Sequence, residues 1–236
     1  MRMLACDLVR ALFTFAVFGL AGSPLSGFAA DRGPSRAADP SLIRLPQPRL
    51  DGTTSVEAAL AARRSIRSFA NKPVTLEELS QLLWAAQGIT HPRGLRTAPS
   101  AGALYPLELF VVAGNVAELP AGTYRYEPEG HHLVRVAEGD QRAALADAAL
   151  GQSPIRKAPV VIAIVADERK TTIKYGERGV RYVHLEAGHA AQNICLQAEA
   201  LGLGSVVIGA FSDRDVASLL RSAGRQPLYL IPLGRK

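Results

Sequence analysis

The longest periodic apolar pattern in the chain lies between residues 178 and 201. Val183, Ala187, Ala190, Ala191, Ile194, Ala198 and Leu201 recur at three- and four-residue spacing, and Leu185, Cys195 and Leu196 widen the stripe. The polar remainder (Glu186, Gln192, Asn193, Gln197, Glu199) is too sparse for a surface helix. Small residues at Ala187, Gly188, Ala190 and Ala191 let another backbone approach closely. The pattern predicts a buried central helix, a candidate for sharing with a second subunit. A cationic, aromatic loop containing Lys174 and Tyr175 is expected before it, and a strand over Gly204–Gly209 after it.

The flanking pattern predicts the other elements. Ser55 caps a helix through Val56, Ala59, Leu60 and Ala61 that ends at Arg63-Arg64-Ser65-Ile66-Arg67. Thr75 and Glu78 form a capping box, with a Val74–Leu79 staple, for a second helix with core positions Leu79, Leu82, Leu83 and Ala86 that ends at Gly88. Strands are predicted over Glu108–Ala113, Thr123–Tyr126, Leu133–Val136, Val160–Ala166 and Leu228–Leu233. The second and third of these flank a turn at Pro128-Glu129-Gly130. Asp140 opens a short helix to Leu150, and Ser212 opens a last one through Val216, Leu219 and Leu220. Local hairpins mixed with helical crossovers predict an α+β fold with a mixed sheet.

Composition changes the picture mainly at the N-terminus. The 236 residues are 48% hydrophobic, enough for one sizeable core. Arg2 and Arg10 precede an apolar run from Ala11 to Ala21. That run is shorter than the roughly 20 residues a membrane span needs. With Gly27-Phe28-Ala29 it fits a signal peptide over residues 1–29, so the chain is expected to be exported, to the periplasm, without a stable membrane span after cleavage. An uncleaved anchor is the alternative. Residues 30–50 carry four prolines and no period, and read as a linker or a surface-hugging arm before a domain at 51–236. Loss of Arg2, Arg10 and Asp7 would take the formal charge from +6 to +5. This basicity is dispersed, so nucleic acid is not an expected partner. Cys6 leaves with the signal peptide, and Cys195 alone makes no internal disulfide.

Candidate chemistry is concentrated in a few places. On a helix end, Arg63 and Arg67 would share a face, where two guanidiniums and the Ser65 hydroxyl could clamp a phosphate. A solvated helix end with favourably placed cations is the plainer alternative. Arg235-Lys236 is a second cationic candidate. The small residues of Ala98–Pro106 allow backbone N–H groups to approach a flat or anionic ligand. Gly202-Leu203-Gly204 precedes a strand rather than a helix, so it is not a dinucleotide fingerprint. No phosphate-loop or GxSxG motif occurs. Glu186 with His189, and His131-His132, lack the companions a metal site needs, so no metal is expected.

The segments RRSIRSF, TLEELSQLLWAAQGI, APSAGALYPLELFVV, KYGERGVRYVHLEAGHAAQN, GLGSVVIGAF and PLGRK, in this order and spacing, resemble the nitroreductase superfamily of flavoproteins, in its SagB/ThcOx-type branch. The resemblance covers roughly residues 51–236. It implies a homodimer with a mixed central sheet flanked by helices and FMN at the subunit interface. By position it implies that Arg63, Arg64, Ser65 and Arg67, with Arg235 and Lys236, hold the phosphate and ribityl chain. Pro99, Ser100, Ala101, Gly102 and Leu104 of the partner subunit would line the isoalloxazine, and Val207, Ile208 and Gly209 would pack on its other side. Lys174-Tyr175 matches a pair that azoline-oxidising members use in catalysis. Where many nitroreductases carry Asn and Gln-Pro-Trp, this chain has Ala103 and Leu104-Tyr105-Pro106, and so lacks the side-chain amide. The expected activity is hydride transfer through FMN between a reduced donor such as NAD(P)H and a small organic acceptor. The alternatives are oxidation of an azoline-like heterocycle with oxygen, and flavin binding without turnover.

Overall fold

The computed structural model describes residues 41–236; the expected signal peptide and the first part of the arm lie outside the described residues. The chain runs β1 (Leu42–Arg44), α1 (Val56–Ala62), α2 (Leu76–Gln87), a 3-10 turn (Ala101–Ala103), β2 (Leu107–Ala113), β3 (Gly122–Glu127) and β4 (His132–Glu138). It continues through α3 (Arg142–Ala148), α4 (Ser153–Lys157), β5 (Val160–Ala166), α5 (Arg169–Tyr175) and α6 (Arg178–Ala200). β6 (Leu203–Ser205), α7 (Asp213–Leu220) and β7 (Gln226–Arg235) complete it. The strands form one sheet in the order β1-β4-β3-β2-β5-β7-β6.

The α+β class is as expected, but the mixed sheet is corrected: every ladder between these strands is antiparallel. A parallel return needs a crossover of a dozen or more residues. The long one here, α5 with α6, leads from β5 to β6, which do run the same way but have β7 between them. Parallel pairing is confined to the isolated bridges Ser65–Ser205 and Val74–Val116.

β2 and β5 are the buried centre, and their alternate residues feed two cores. Leu109, Val111, Ile162 and Ile164 pack with Leu79, Leu82 and Leu83 of α2 and Val183 and Ile194 of α6. Phe110, Val112, Val161 and Val165 pack with Leu145, Ile155, Val216 and Leu220 of α3, α4 and α7. The buried face of α6 follows the predicted stripe with Glu186 included, but Leu185, expected to widen it, is 55% exposed, and Leu196 is half-buried. The arm is not wholly a linker, since Leu42–Arg44 adds an edge strand beside β4.

Some boundaries differ from expectation. The strand predicted over Gly204–Gly209 stops at Ser205, and only a bridge from Ile208 to Leu230 follows. The helix placed after Asp140 begins at Arg142, whose backbone N–H and guanidinium both bond to the Asp140 carboxylate. The capping box forms as read: Glu78 N–H donates to Thr75 Oγ1 at 3.2 Å and Thr75 N–H to Glu78 Oε2 at 2.9 Å. Thr75→Ala should therefore cost about 1 kcal/mol of stability in a urea melt, and an unchanged midpoint would show that the cap contributes nothing.

Candidate functional site

The first candidate segment is built differently from expectation. α1 ends at Ala62, so Arg63 to Arg67 do not lie on a helix. They run beside β6 instead, with Ile66 N–H donating to Ser205 O at 2.9 Å. In this run only Ser65 is bridged to the sheet; Arg63 beside it is half-buried, and Ser65 and Arg67 are exposed. Ile66 packs on Gly204, where an added Cβ would come within 2.7 Å of Ile66 Cγ2. Gly204→Ala should push this run outward and cost roughly 1–3 kcal/mol by overpacking; thermal melting reads the loss. Arg64 turns away from its neighbours. Its Nη1 donates to Ala61 O (3.0 Å) and Arg63 O (2.8 Å), closing the end of α1.

The cations differ in availability. Among the described residues, neither the Arg63 nor the Arg67 guanidinium has a hydrogen-bond or ion-pair partner. Arg235, at the end of β7, is held by both oxygens of Glu78, at 2.7 and 2.9 Å. Glu78 thus closes the α2 cap and anchors the last strand at once. Lys236 Nζ donates to Glu199 Oε1 at 2.6 Å. A phosphate near Arg235 and Lys236 would have to share them with these carboxylates.

The loop Pro99–Tyr105 carries three residues in the left-handed region: Gly102 (φ 63°), Ala103 (53°) and Tyr105 (46°). For alanine and tyrosine this backbone costs energy, and such strain gathers at functional sites. Local bonds hold it. Tyr105 N–H donates to Ser100 Oγ (3.0 Å) and Arg96 N–H to the Tyr105 hydroxyl (3.1 Å), and the Arg96 guanidinium lies 4.6 Å from the Tyr105 ring centroid. Pro99 and Gly102 are exposed, and Ser100, Ala101 and Leu104 are half-buried.

Lys174 and Tyr175 are not in a loop, as expected, but form the last turn of α5, which Gly176 ends at a φ of 58°. Ending a helix there aims both side chains at the 98–106 loop. A Cβ on Gly102 would lie 2.8 Å from the Tyr175 hydroxyl and 3.0 Å from Lys174 Nζ. Lys174 Nζ is 5.4 Å from the Tyr175 ring centroid, and Tyr175 meets Tyr182 edge-on at 5.2 Å. Sequence spacing of about seventy residues gave no sign that glycine, lysine and tyrosine would meet.

Val207 is 37% exposed and Gly209 exposed, while Ile208 is buried and bonded across to Leu230. This leaves an accessible backbone edge after β6. Two groups on α6 lie behind these segments. Burial pushes the Cys195 thiol up despite Ser205 and Arg63 nearby. Glu186, 2% exposed, is pushed up to about 7 by burial, against the opposing pull of Ser100 and Arg96. Glu186 was legible only as a polar residue within the stripe, three after Val183 and four before Ala190.

Between α1, α2 and α6 runs a groove of about 650 Å³, lined by Leu50, Val56, Trp84, Asn193, Leu196 and Gln197 among others. Thr97 Oγ1 donates to Trp84 O and Asn193 Nδ2 to Ala85 O, fixing its wall. His131, a metal candidate only by its doublet, bonds instead to Ser80, Tyr126 and Pro46. Among the described residues no helix is long and apolar enough to cross a membrane.

The nitroreductase family profile matches residues 60–235. A Methanocaldococcus jannaschii protein named as a nitroreductase is 48% identical over 181 residues, 77% of this chain and 91% of that one. The microcin B17-processing protein McbC of Escherichia coli is 30% identical over 166 residues, 67% of this chain and 60% of its own length. Among solved structures, a Ralstonia eutropha protein described as a nitroreductase superposes with a TM-score of 0.73 at 31% identity, covering 83% of this chain and 89% of that one.

Proposed function

The chain belongs to the nitroreductase family, and from that premise we propose that it is an FMN-dependent oxidoreductase acting on a small organic substrate. The observation that carries the reading is the pair of guanidiniums, Arg63 and Arg67, that flank Ser65 and have no partner among the described residues. Two cations without carboxylate partners suit a dianionic phosphate, to which arginine offers matched donors. The backbone edge at Val207–Gly209 and the left-handed loop at Ser100–Leu104 suit the two sides of a flat ring. The residues therefore fit FMN, with Arg235 and Lys236 as outer members of the cationic set.

When bound, FMN supplies the hydride chemistry, and NAD(P)H is the proposed donor. The chain's own residues do the rest. Arg63 and Arg67 bind and orient, and the loop excludes water from one face. Tyr175, whose hydroxyl points at the loop, holds a proton there for transfer to or from the substrate. The groove rimmed by exposed Leu50 and Val56 is where we place the second copy of a homodimer, so that each loop serves its partner's flavin. Export to the periplasm belongs to the same reading and rests on residues 1–29.

A second reading keeps the flavin and changes the reaction to oxidation of an azoline-like heterocycle by oxygen. It is favoured by Lys174 and Tyr175 converging on Gly102 and by the likeness to a microcin-processing protein. The purified chain should show flavin absorbance, and anaerobic NADH or NADPH should bleach it. A protein that cannot be loaded with FMN would sink both readings. Loading without bleaching would favour the oxidase, or binding without turnover. Tyr175→Phe should lower turnover about 10²- to 10⁴-fold, the range of a lost general acid, with flavin loading unchanged; retained turnover removes Tyr175 from the chemistry.

A further inference from the structure

Glu186 is the one buried carboxyl on α6, and nothing in the proposed reaction uses it. It is 2% exposed, and its Oε1 has no hydrogen-bond partner among the described residues. α6 packs here against the 3-10 turn of the 98–106 loop. Ser100 is the hydroxyl and Arg96 the cation whose fields act on the carboxyl, with no hydrogen bond joining either to it, and Arg96 Nη2 also lies 3.6 Å from Glu129 Oε1. Both neighbours control that loop. Ser100 Oγ accepts the Tyr105 N–H, which leaves its own O–H to donate. Arg96 holds Tyr105 through its backbone N–H and lies against the Tyr105 ring, while its Nη1 donates to Gln87 Oε1 at 2.8 Å.

β5 and β6 carry no ionisable residue. Glu108 of β2 pairs with Arg225 ahead of β7, and Arg235 of β7 pairs with Glu78 of α2. The α5 groups that reach this loop, Lys174 and Tyr175, lie over Gly102. On α6 itself the neighbours one turn away are Tyr182 and His189.

We infer that Glu186 is a positioning residue for the loop at Ser100–Tyr105, its carboxyl standing behind the loop and taking hold of both ends through Ser100 and Arg96. As an anion it accepts the Ser100 O–H and draws on the Arg96 guanidinium, which tightens the turn that carries Gly102. As a neutral acid it needs neither, and the loop is held by its own bonds alone. Burial brings the switch between these forms to about pH 7. The loop's function rests on the flavin reading above, but its coupling to Glu186 does not.

The test separates the two. In the flavin-free protein, backbone amide resonances of Ser100, Gly102 and Tyr105 are followed by NMR from pH 5 to 9. They should move together with an inflection near pH 7, and Glu186→Gln should flatten that titration. Ser100→Ala, which removes the bond favouring the anion, should move the midpoint upward. A wild-type loop without an inflection, or one that persists unchanged in Glu186→Gln, overturns the inference whether or not the protein binds FMN. Given loading, FMN affinity should change with the same midpoint in the wild type and lose that pH dependence in Glu186→Gln. A failure to bind FMN alongside an intact NMR titration would remove the flavin reading and leave the coupling standing.

Discussion

Replacing Arg63 and Arg67 together by alanine should cost most of the protein's hold on FMN. Each charge-assisted hydrogen bond contributes about 1.5–3 kcal/mol, so each arginine is expected to be worth roughly ten- to 150-fold in affinity, and the pair up to about 10⁴-fold if they act independently. Among the described residues neither guanidinium holds another residue, so the double variant should fold and melt like the parent. Arg64→Ala makes the contrast. Its side chain is bonded to the Ala61 and Arg63 carbonyls, and its loss should touch the end of α1 more than the flavin. Equilibrium loading with FMN, read by absorbance after gel filtration, decides between them. If the double variant retains flavin like the parent, the phosphate lies elsewhere, with Arg235 and Lys236 the next place to look.

Glu186→Gln should stabilise the protein at alkaline pH and do little in acid. The sign follows from where the proton sits. The unfolded glutamate loses its proton near its ordinary 4.5, and the folded one near 7. Between those values the folded state holds a proton that the unfolded chain has released, so this group's contribution to stability falls as pH rises. The penalty is complete above about pH 7 and amounts to about 3 kcal/mol at most. Glutamine keeps a neutral side chain of the same shape and escapes it. Urea melts at pH 5 and pH 8.5 should show the variant gaining on the parent only at the higher value. An equal effect at both would mean that the carboxyl does not ionise in this range.

Legibility in the sequence followed the range of the interaction. The α2 cap could be read because Thr75 and Glu78 meet within one turn. β5 and the stripe of α6 could be read because burial on a regular element imposes a period. The family resemblance, built on six ordered segments, led to the correct superfamily. What was lost lay at ends and crossings. Helix α1 ends at Ala62, where nothing in Arg63-Arg64 marks a stop, so the helical argument for a shared side of Arg63 and Arg67 does not apply. Strand direction depends on which strand lies between the ends of a crossover, as β7 does between β5 and β6. No local pattern encodes that. The meeting of Gly102 with Lys174 and Tyr175, and of Glu186 with Ser100, is tertiary in the same sense.

Trp84 is the only tryptophan of the chain, and it stands in the wall of the groove where the second copy is placed. The protein therefore carries its single indole at its proposed seam, where excitation at the red edge of protein absorbance selects it over the six tyrosines. Diluting the protein should shift that emission to the red as the indole gains water, and the midpoint of the shift would give the dimer's dissociation constant without any label.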